Sequence, residues 1–213
     1  MIYGDIEIVD EDQQLVVINK PGGLLSVPGR GADKQDCVTS RLRQIYPEMI
    51  EQPSVHRLDM YTSGLMVVAI TREAHRHLNR QFEQRLVDKE YTALLDGEIQ
   101  HESGEIELAF RVDLDNRPLQ MYDPVHGKMG TTRWSLIGHE NNRSRVHFIP
   151  LTGRTHQLRI HAAHELGLGF PIVGDSLYGR GVDGDRMLLH ASMLSFIHPV
   201  SGERLSYTST PPF

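Results

Sequence analysis

The side chains best suited to chemistry lie in one short segment, His56-Arg57-Leu58-Asp59-Met60-Tyr61-Thr62-Ser63-Gly64-Leu65. An apolar run typical of a buried strand follows it at residues 65–70. Because loops at strand ends commonly hold catalytic groups, Asp59 is a candidate nucleophile or general base. By itself, the pairing of Arg57 with Asp59 is equally typical of a surface ion pair that contributes about 0–1 kcal/mol.

Three other segments carry reactive or donor groups. They are Thr152-Gly153-Arg154-Thr155-His156-Gln157-Leu158-Arg159-Ile160-His161, the strand start Lys89-Glu90-Tyr91 and residues 19–30, which include the turn Lys20-Pro21-Gly22-Gly23. The chain has neither a glycine-rich phosphate loop nor a Gly-x-Ser-x-Gly elbow, which argues against nucleotide binding of those types and against Ser-His-Asp hydrolysis. Individually, these segments indicate only an enzyme with Asp, Arg and Tyr in its site.

A histidine cluster raises the question of a metal. His161 and His164 share a helix face, and His156 and Glu165 lie nearby in the sequence. However, there is no His-Glu-x-x-His pattern, and Cys37, the only cysteine, cannot form a thiolate cluster. We therefore expect no metal, with a metal-dependent hydrolase as the alternative.

Composition limits the class of protein. The chain has 213 residues, which suits one domain or two lobes, and no apolar run approaches the length of a membrane span. A single cysteine and the lack of a signal peptide favour the cytoplasm.

The net charge of −6, taken alone, argues against RNA as a partner. The charge is segregated, however, because residues 1–19 and 96–115 hold most of the excess acid. Residues 127–164 carry six Lys and Arg against one Glu, which favours a local basic surface for a polyanion.

The apolar patterns place these segments on an α+β framework. Strands are predicted at residues 6–9, 15–19, 65–70, 89–95, 145–150 and 188–197, and residues 103–135 read as short strands and turns. Helices are predicted near residues 38–45, from an N-cap at Thr71 to residue 86, and over residues 155–166.

Taken together and in order, the motifs resemble those of the RluA-type RNA pseudouridine synthases. The resemblance rests on residues 56–65, Lys89-x-Tyr91, residues 152–161, Gly174-Asp-x-Leu-Tyr-Gly179 and Leu189-His-Ala191, and it covers nearly the whole chain. It implies a mixed, largely antiparallel central sheet in two lobes, about 1–95 and 96–213, flanking an RNA-binding cleft. It also implies one catalytic domain over 1–213, with no S4-like domain.

The resemblance also implies an activity. Family members isomerise uridine to pseudouridine in structured RNA, without a cofactor or metal. By motif position, Asp59 is the essential aspartate, Arg159 pairs with it and Tyr91 stacks on the uracil. Arg57 helps to flip the target base, and we expect Arg154 and His156 to contact RNA as well.

Part of the resemblance also indicates which RNA molecules are the substrates. The segments at residues 23–30, 56–60 and 80–82 resemble the dual-specificity subgroup, which modifies a large-subunit rRNA hairpin and the first uridine of the tRNA anticodon loop. The alternatives are the same chemistry at another site, such as the tRNA acceptor stem, and a non-catalytic RNA-binding module. Residues 100–130 match the family least and are candidates for substrate-specific contacts. We expect a monomer with no membrane association and with positive potential around Asp59.

Overall fold

A computed structural model describes the backbone of residues 2–3 and all of residues 6–213. The strands in this part of the chain are β1 (Ile2–Tyr3), β2 (Ile6–Glu11), β3 (Leu15–Lys20), β4 (Ser63–Ala69), β5 (Asp88–Leu95), β6 (Ser103–Val112), β7 (Gln120–Tyr122), β8 (Lys128–Glu140), β9 (Arg143–Pro150), β10 (Leu189–Ile197) and β11 (Arg204–Thr208). The helices are α1 (Val38–Ile45), α2 (Arg72–Glu83) and α3 (Gln157–Ala163), with a short 3₁₀ helix at Ala32–Lys34.

The chain divides into two compact units. The first contains the described residues up to Lys89 together with His190–Pro212, and the second contains Glu90–Leu189 and Phe213. Residues 190–212, which the resemblance assigns to the second lobe, thus belong to the first unit, and residues 90–95, assigned to the first lobe, belong to the second. The reason is strand pairing, because β10 runs parallel to β4 and antiparallel to β11.

The sheet of the first unit is built on two almost wholly buried strands. β3 pairs antiparallel with β2 and β4, and the β4–β10 contact is very close at Gly64. Gly64 has φ +113°, and a Cβ there would lie 2.4 Å from the Ala191 carbonyl oxygen, so no other residue fits. α2 covers this sheet with Ala74 and Leu78.

α2 begins where its sequence predicts and ends earlier. The Thr71 side chain accepts a hydrogen bond from the Ala74 N–H, which confirms the predicted N-cap. The helix stops at Glu83 because Arg85 takes a left-handed conformation, φ 58°. Leu86, expected on the buried face, is instead 45% exposed.

The second unit has a fully antiparallel strand order, β5-β9-β8-β6-β7. β6 and β8 are ten and thirteen residues long, whereas the sequence indicates only short strands there. Each is half exposed and polar on one face, and β8 has an irregularity between Leu136 and Gly138 that interrupts its alternation.

α3 is shorter than its apolar spacing predicts. It starts only at Gln157 because His156 has φ 56°, outside helical geometry, and it ends where His164 becomes extended. The class, α+β with mostly antiparallel strands, is confirmed. Among the described residues, no helix is long and apolar enough to cross a membrane.

Candidate active site

The loop that carries Asp59 is held by the segment that follows β3. The Ser26 hydroxyl donates to the Leu58 carbonyl (2.7 Å) and accepts from the Leu58 N–H (3.1 Å). The Gly23 N–H donates to the Met60 carbonyl (2.9 Å). Because Leu58 and Met60 flank Asp59, these three hydrogen bonds clamp the backbone on both sides of Asp59.

Lys20 lies beneath the same loop. It is 1% exposed, and its Nζ donates to the carbonyls of Pro21 (2.8 Å), Leu24 (2.7 Å) and Met60 (3.0 Å). Burial lowers the pKa of Lys20 to about 7, and the negative charge of Asp59 opposes part of that shift. The sequence alone does not identify Lys20 as a residue that supports the site. Its one visible signal is its position at the end of an otherwise apolar strand, and the residues that follow it indicate only a turn.

His56 anchors the start of the loop. Its Nε2 accepts from the Val67 N–H (3.0 Å), and its ring stacks on Phe82 of α2 with centroids 4.5 Å apart. Burial, and secondly the charge of Lys89, lower the pKa of His56 to about 3. His56 is therefore a neutral hydrogen-bond acceptor near pH 7, and next to it the side chain of Arg57 is exposed.

In the second unit, Arg159 lies on α3 and forms a buried ion pair. Its Nε and Nη2 donate to the two carboxylate oxygens of Asp175, at 2.8 and 2.6 Å. Burial alone would raise the pKa of Asp175, but Arg159 and the backbone N–H groups of Leu177 and Tyr178 hold that pKa below its usual value. The expected pairing of Arg159 with Asp59 stays a prediction, since the two residues belong to different units.

Tyr178 brings two of the predicted residues together. Its hydroxyl is hydrogen-bonded to His156 Nδ1 (2.9 Å), and its ring lies 5.3 Å from the Arg159 guanidinium. Asp175 and Tyr178 both belong to the motif at residues 174–179, which is visible in the sequence but has no assigned role there. Their partners are 16 and 22 residues away along the chain, which no local pattern reveals.

The remaining predicted residues also lie in the second unit. Tyr91 is half-buried on β5, opposite Phe148 of β9. The Arg154 backbone N–H donates to the Gln157 side chain (3.0 Å), and its own side chain is exposed.

Of the histidines in the possible metal cluster, His156 is hydrogen-bonded to the Tyr178 hydroxyl, whereas the rings of His161 and His164 contact Phe110 and Tyr122. His161 is fully buried, and among the described residues neither of its ring nitrogens has a hydrogen-bond partner. Burial lowers the pKa of His161 to about 4. The described part of the chain contains no group of three or more His, Cys, Asp or Glu side chains that could hold a metal.

Comparison with known families decides the class of the protein. The model of the RNA pseudouridylate synthase family matches residues 14–164. The chain belongs to this family. The matched region contains every predicted site residue and includes both the loop of the first unit and α3 of the second.

Curated relatives extend over nearly the whole chain, and each is named dual-specificity RNA pseudouridine synthase RluA. The protein of Haemophilus ducreyi is 41% identical over 215 residues, covering 98% of this chain and 94% of its own. That of Escherichia coli K12 is 40% identical over 210 residues (97% and 93%), and that of Vibrio parahaemolyticus is 44% identical over 203 residues (92% and 79%).

Solved structures agree with this assignment. Human RNA pseudouridylate synthase domain containing 1 superposes with a TM-score of 0.79 at 32% identity, covering 98% of this chain and 84% of its own. Human RNA pseudouridylate synthase domain containing 4, at 24% identity and a TM-score of 0.72, covers 97% and 88% and shares the fold.

The Arg159–Asp175 pair generates a stability prediction. Asp175→Ala removes both hydrogen bonds that the carboxylate accepts from the buried Arg159 guanidinium, so the free energy of unfolding should fall by about 3–5 kcal/mol in urea titrations. The control is Asp36→Ala, which removes an exposed carboxylate that pairs with Arg41 and should cost less than about 1 kcal/mol. Equal losses in the two variants would show that burial of the pair is unimportant.

His56 generates a pH prediction. The unfolded chain takes up a proton at His56 below about pH 6.5, but the folded protein does so only near pH 3. This site therefore contributes stability above pH 6.5 that is lost as the pH falls towards 3. His56→Gln still offers an acceptor to the Val67 N–H and cannot titrate.

The measurement is the free energy of unfolding of both proteins at several pH values from 7 to 4. Wild type should lose stability more steeply than His56→Gln, by up to about 1.4 kcal/mol per pH unit below 6.5. Parallel curves would contradict a depressed pKa at His56.

Proposed function

We propose that this chain isomerises uridine to pseudouridine in rRNA and tRNA, with Asp59 as the essential carboxylate. One observation carries the proposal: the family match over residues 14–164 contains the whole set of predicted site residues. The clamped loop supports it, since Asp59 lies on backbone fixed at Leu58 and Met60. A catalytic group held in this way loses little entropy when the substrate binds.

The reaction is an internal exchange of bonds. The N1–C1′ glycosidic bond breaks, the uracil turns while bound and C5 joins C1′; the C5 proton leaves and N1 gains one. The Asp59 carboxylate acts as a nucleophile at C1′ or at C6 of the uracil, or as a base at C2′. Tyr91 holds the detached uracil by stacking and assists removal of the C5 proton, and Arg159 is the cation assigned to keep Asp59 ionised.

The target uridine must leave its stack before the reaction. We assign Arg57 to fill the vacated position in the stack, and its exposed side chain two residues before Asp59 supports this role. Arg154, also exposed, and His156 contribute RNA contacts. Recognition then depends on the shape of an RNA loop and on its splayed bases.

The finer substrate assignment is a large-subunit rRNA hairpin and the first anticodon-loop uridine of tRNAs. It is supported by relatives, 40–44% identical, whose name states dual specificity. We also propose that the enzyme acts as a cytoplasmic monomer without metal or cofactor. Carbodiimide mapping of pseudouridine in a deletion strain distinguishes these sites from others, such as the tRNA acceptor stem.

The essential role of Asp59 is tested by Asp59→Asn. Tritium release from C5-labelled uridine, measured on rRNA hairpin and anticodon stem-loop transcripts with EDTA present, should fall by at least about a thousandfold. The exposed Asp36→Asn, which lies outside the site, serves as the control. Undiminished tritium release by Asp59→Asn would contradict the role of Asp59 as the essential carboxylate. If the wild-type protein released no tritium from either RNA, the proposed substrates would be wrong.

The role of Tyr91 is tested by Tyr91→Phe. The ring remains, so RNA affinity should be kept, but loss of the hydroxyl should lower kcat by about a hundredfold or more if it assists proton transfer. Tyr207→Phe, a change on β11 in the first unit, is the matched control. Full activity of Tyr91→Phe would restrict Tyr91 to stacking.

A further inference from the structure

The segment between β6 and β8 projects an aromatic ring that the proposed mechanism does not use. We call residues 113–127 the arm; it contains β7, in which Tyr122 is 37% exposed. Tyr122 pairs with Phe110 of β6, which pairs on its other side with Lys128 of β8. Directly opposed residues of antiparallel strands project to the same face, so Tyr122, Phe110 and Lys128 lie in a row.

α3 and its C-cap supply a second row of rings against the first. The buried Phe110 meets His161 edge-on, with centroids 5.8 Å apart, and the exposed Tyr122 meets His164 at 5.2 Å and 49°. His164 Nδ1 accepts a hydrogen bond from the Leu166 N–H (3.1 Å), which fixes the orientation of its ring. The Tyr122–His164 pair, with Tyr122 exposed and His164 half-buried, is thus the outer edge of an aromatic cluster.

A hydrogen bond connects the arm to the predicted RNA contacts. The Gln120 N–H donates to the Tyr178 hydroxyl (2.7 Å), and the same hydroxyl is bonded to His156. The Tyr178 ring lies against Arg159. Since a strand rises about 3.3 Å per residue, Tyr122 lies only about 7 Å along the strand from this connection.

The geometry points to a binding surface for RNA: we propose that an unpaired base of the RNA loop, other than the target uridine, stacks on Tyr122 and His164. Tyr and His rings are common stacking partners for splayed bases. Lys128, exposed in the same row, provides a cation for the adjoining phosphate. The choice of RNA as the ligand rests on the proposed function.

The test measures binding directly, so that it does not depend on catalysis. Fluorescence anisotropy with a labelled anticodon stem-loop RNA should show that Tyr122→Ala weakens binding by about fivefold or more. Tyr122→Phe keeps the ring and should retain most of the affinity. Val125→Ala, a change at a side chain of the same arm that is 77% exposed, should bind within about twofold of wild type.

A second variant and a spectroscopic signal exclude a folding defect. His164→Asn retains an acceptor for the Leu166 N–H while removing the ring, and it should also weaken binding. With 2-aminopurine scanned through the RNA loop, one position should be quenched by wild type and not by Tyr122→Ala, in proteins with matching thermal unfolding.

The result that overturns this proposal is wild-type affinity in both Tyr122→Ala and His164→Asn, or a loss that Tyr122→Phe does not restore. Failure of the proposed function is a separate result, seen as no tritium release by wild type on an RNA that it binds.

Discussion

A nearly inaccessible amine must find hydrogen-bond acceptors inside the protein, and this requirement organises the first unit around Lys20. The Lys20 amine donates hydrogen bonds to three backbone carbonyls, two from the turn after β3 and one from Met60, next to Asp59. The turn and the loop are therefore held together by a group that neither could bury alone. The Ser26–Leu58 hydrogen bonds then fix the register of the two segments.

The second unit also buries a basic side chain, Arg159, but stabilises it with a different partner. Arg159, at 4% exposure, is nearly as buried as Lys20, but its partner is a carboxylate in bidentate geometry. Asp175 is itself oriented by the N–H groups of the turn that contains Tyr178. Both basic side chains are thus fixed by turns that follow apolar segments, and each lies among residues that the family motifs single out.

Local patterns predicted much of this architecture because local physics determines it. Thr71 caps α2, and the apolar runs of β3 and β4 form buried strands, as their composition indicates. Local patterns failed where a single backbone conformation or a distant partner decides the outcome. Arg85 and His156, both with positive φ, shorten two helices, and the pairing of Asp175 with Arg159 has no local signature. The overall charge was also uninformative about RNA, because the acidic and basic residues lie in different stretches of the chain.

The return of the last strands to the first unit has a consequence for the order in which the protein is made. β4 leaves the ribosome about 120 residues before β10, the strand that pairs with it in parallel. At roughly 5–20 residues per second, this leaves the nascent chain with an unpaired β4 edge for roughly 6–24 s. The core contributed by Leu194 and Phe196 is missing for the same interval. The unit that holds Asp59 therefore cannot be completed until strands β5 to β9 of the second unit have been synthesised.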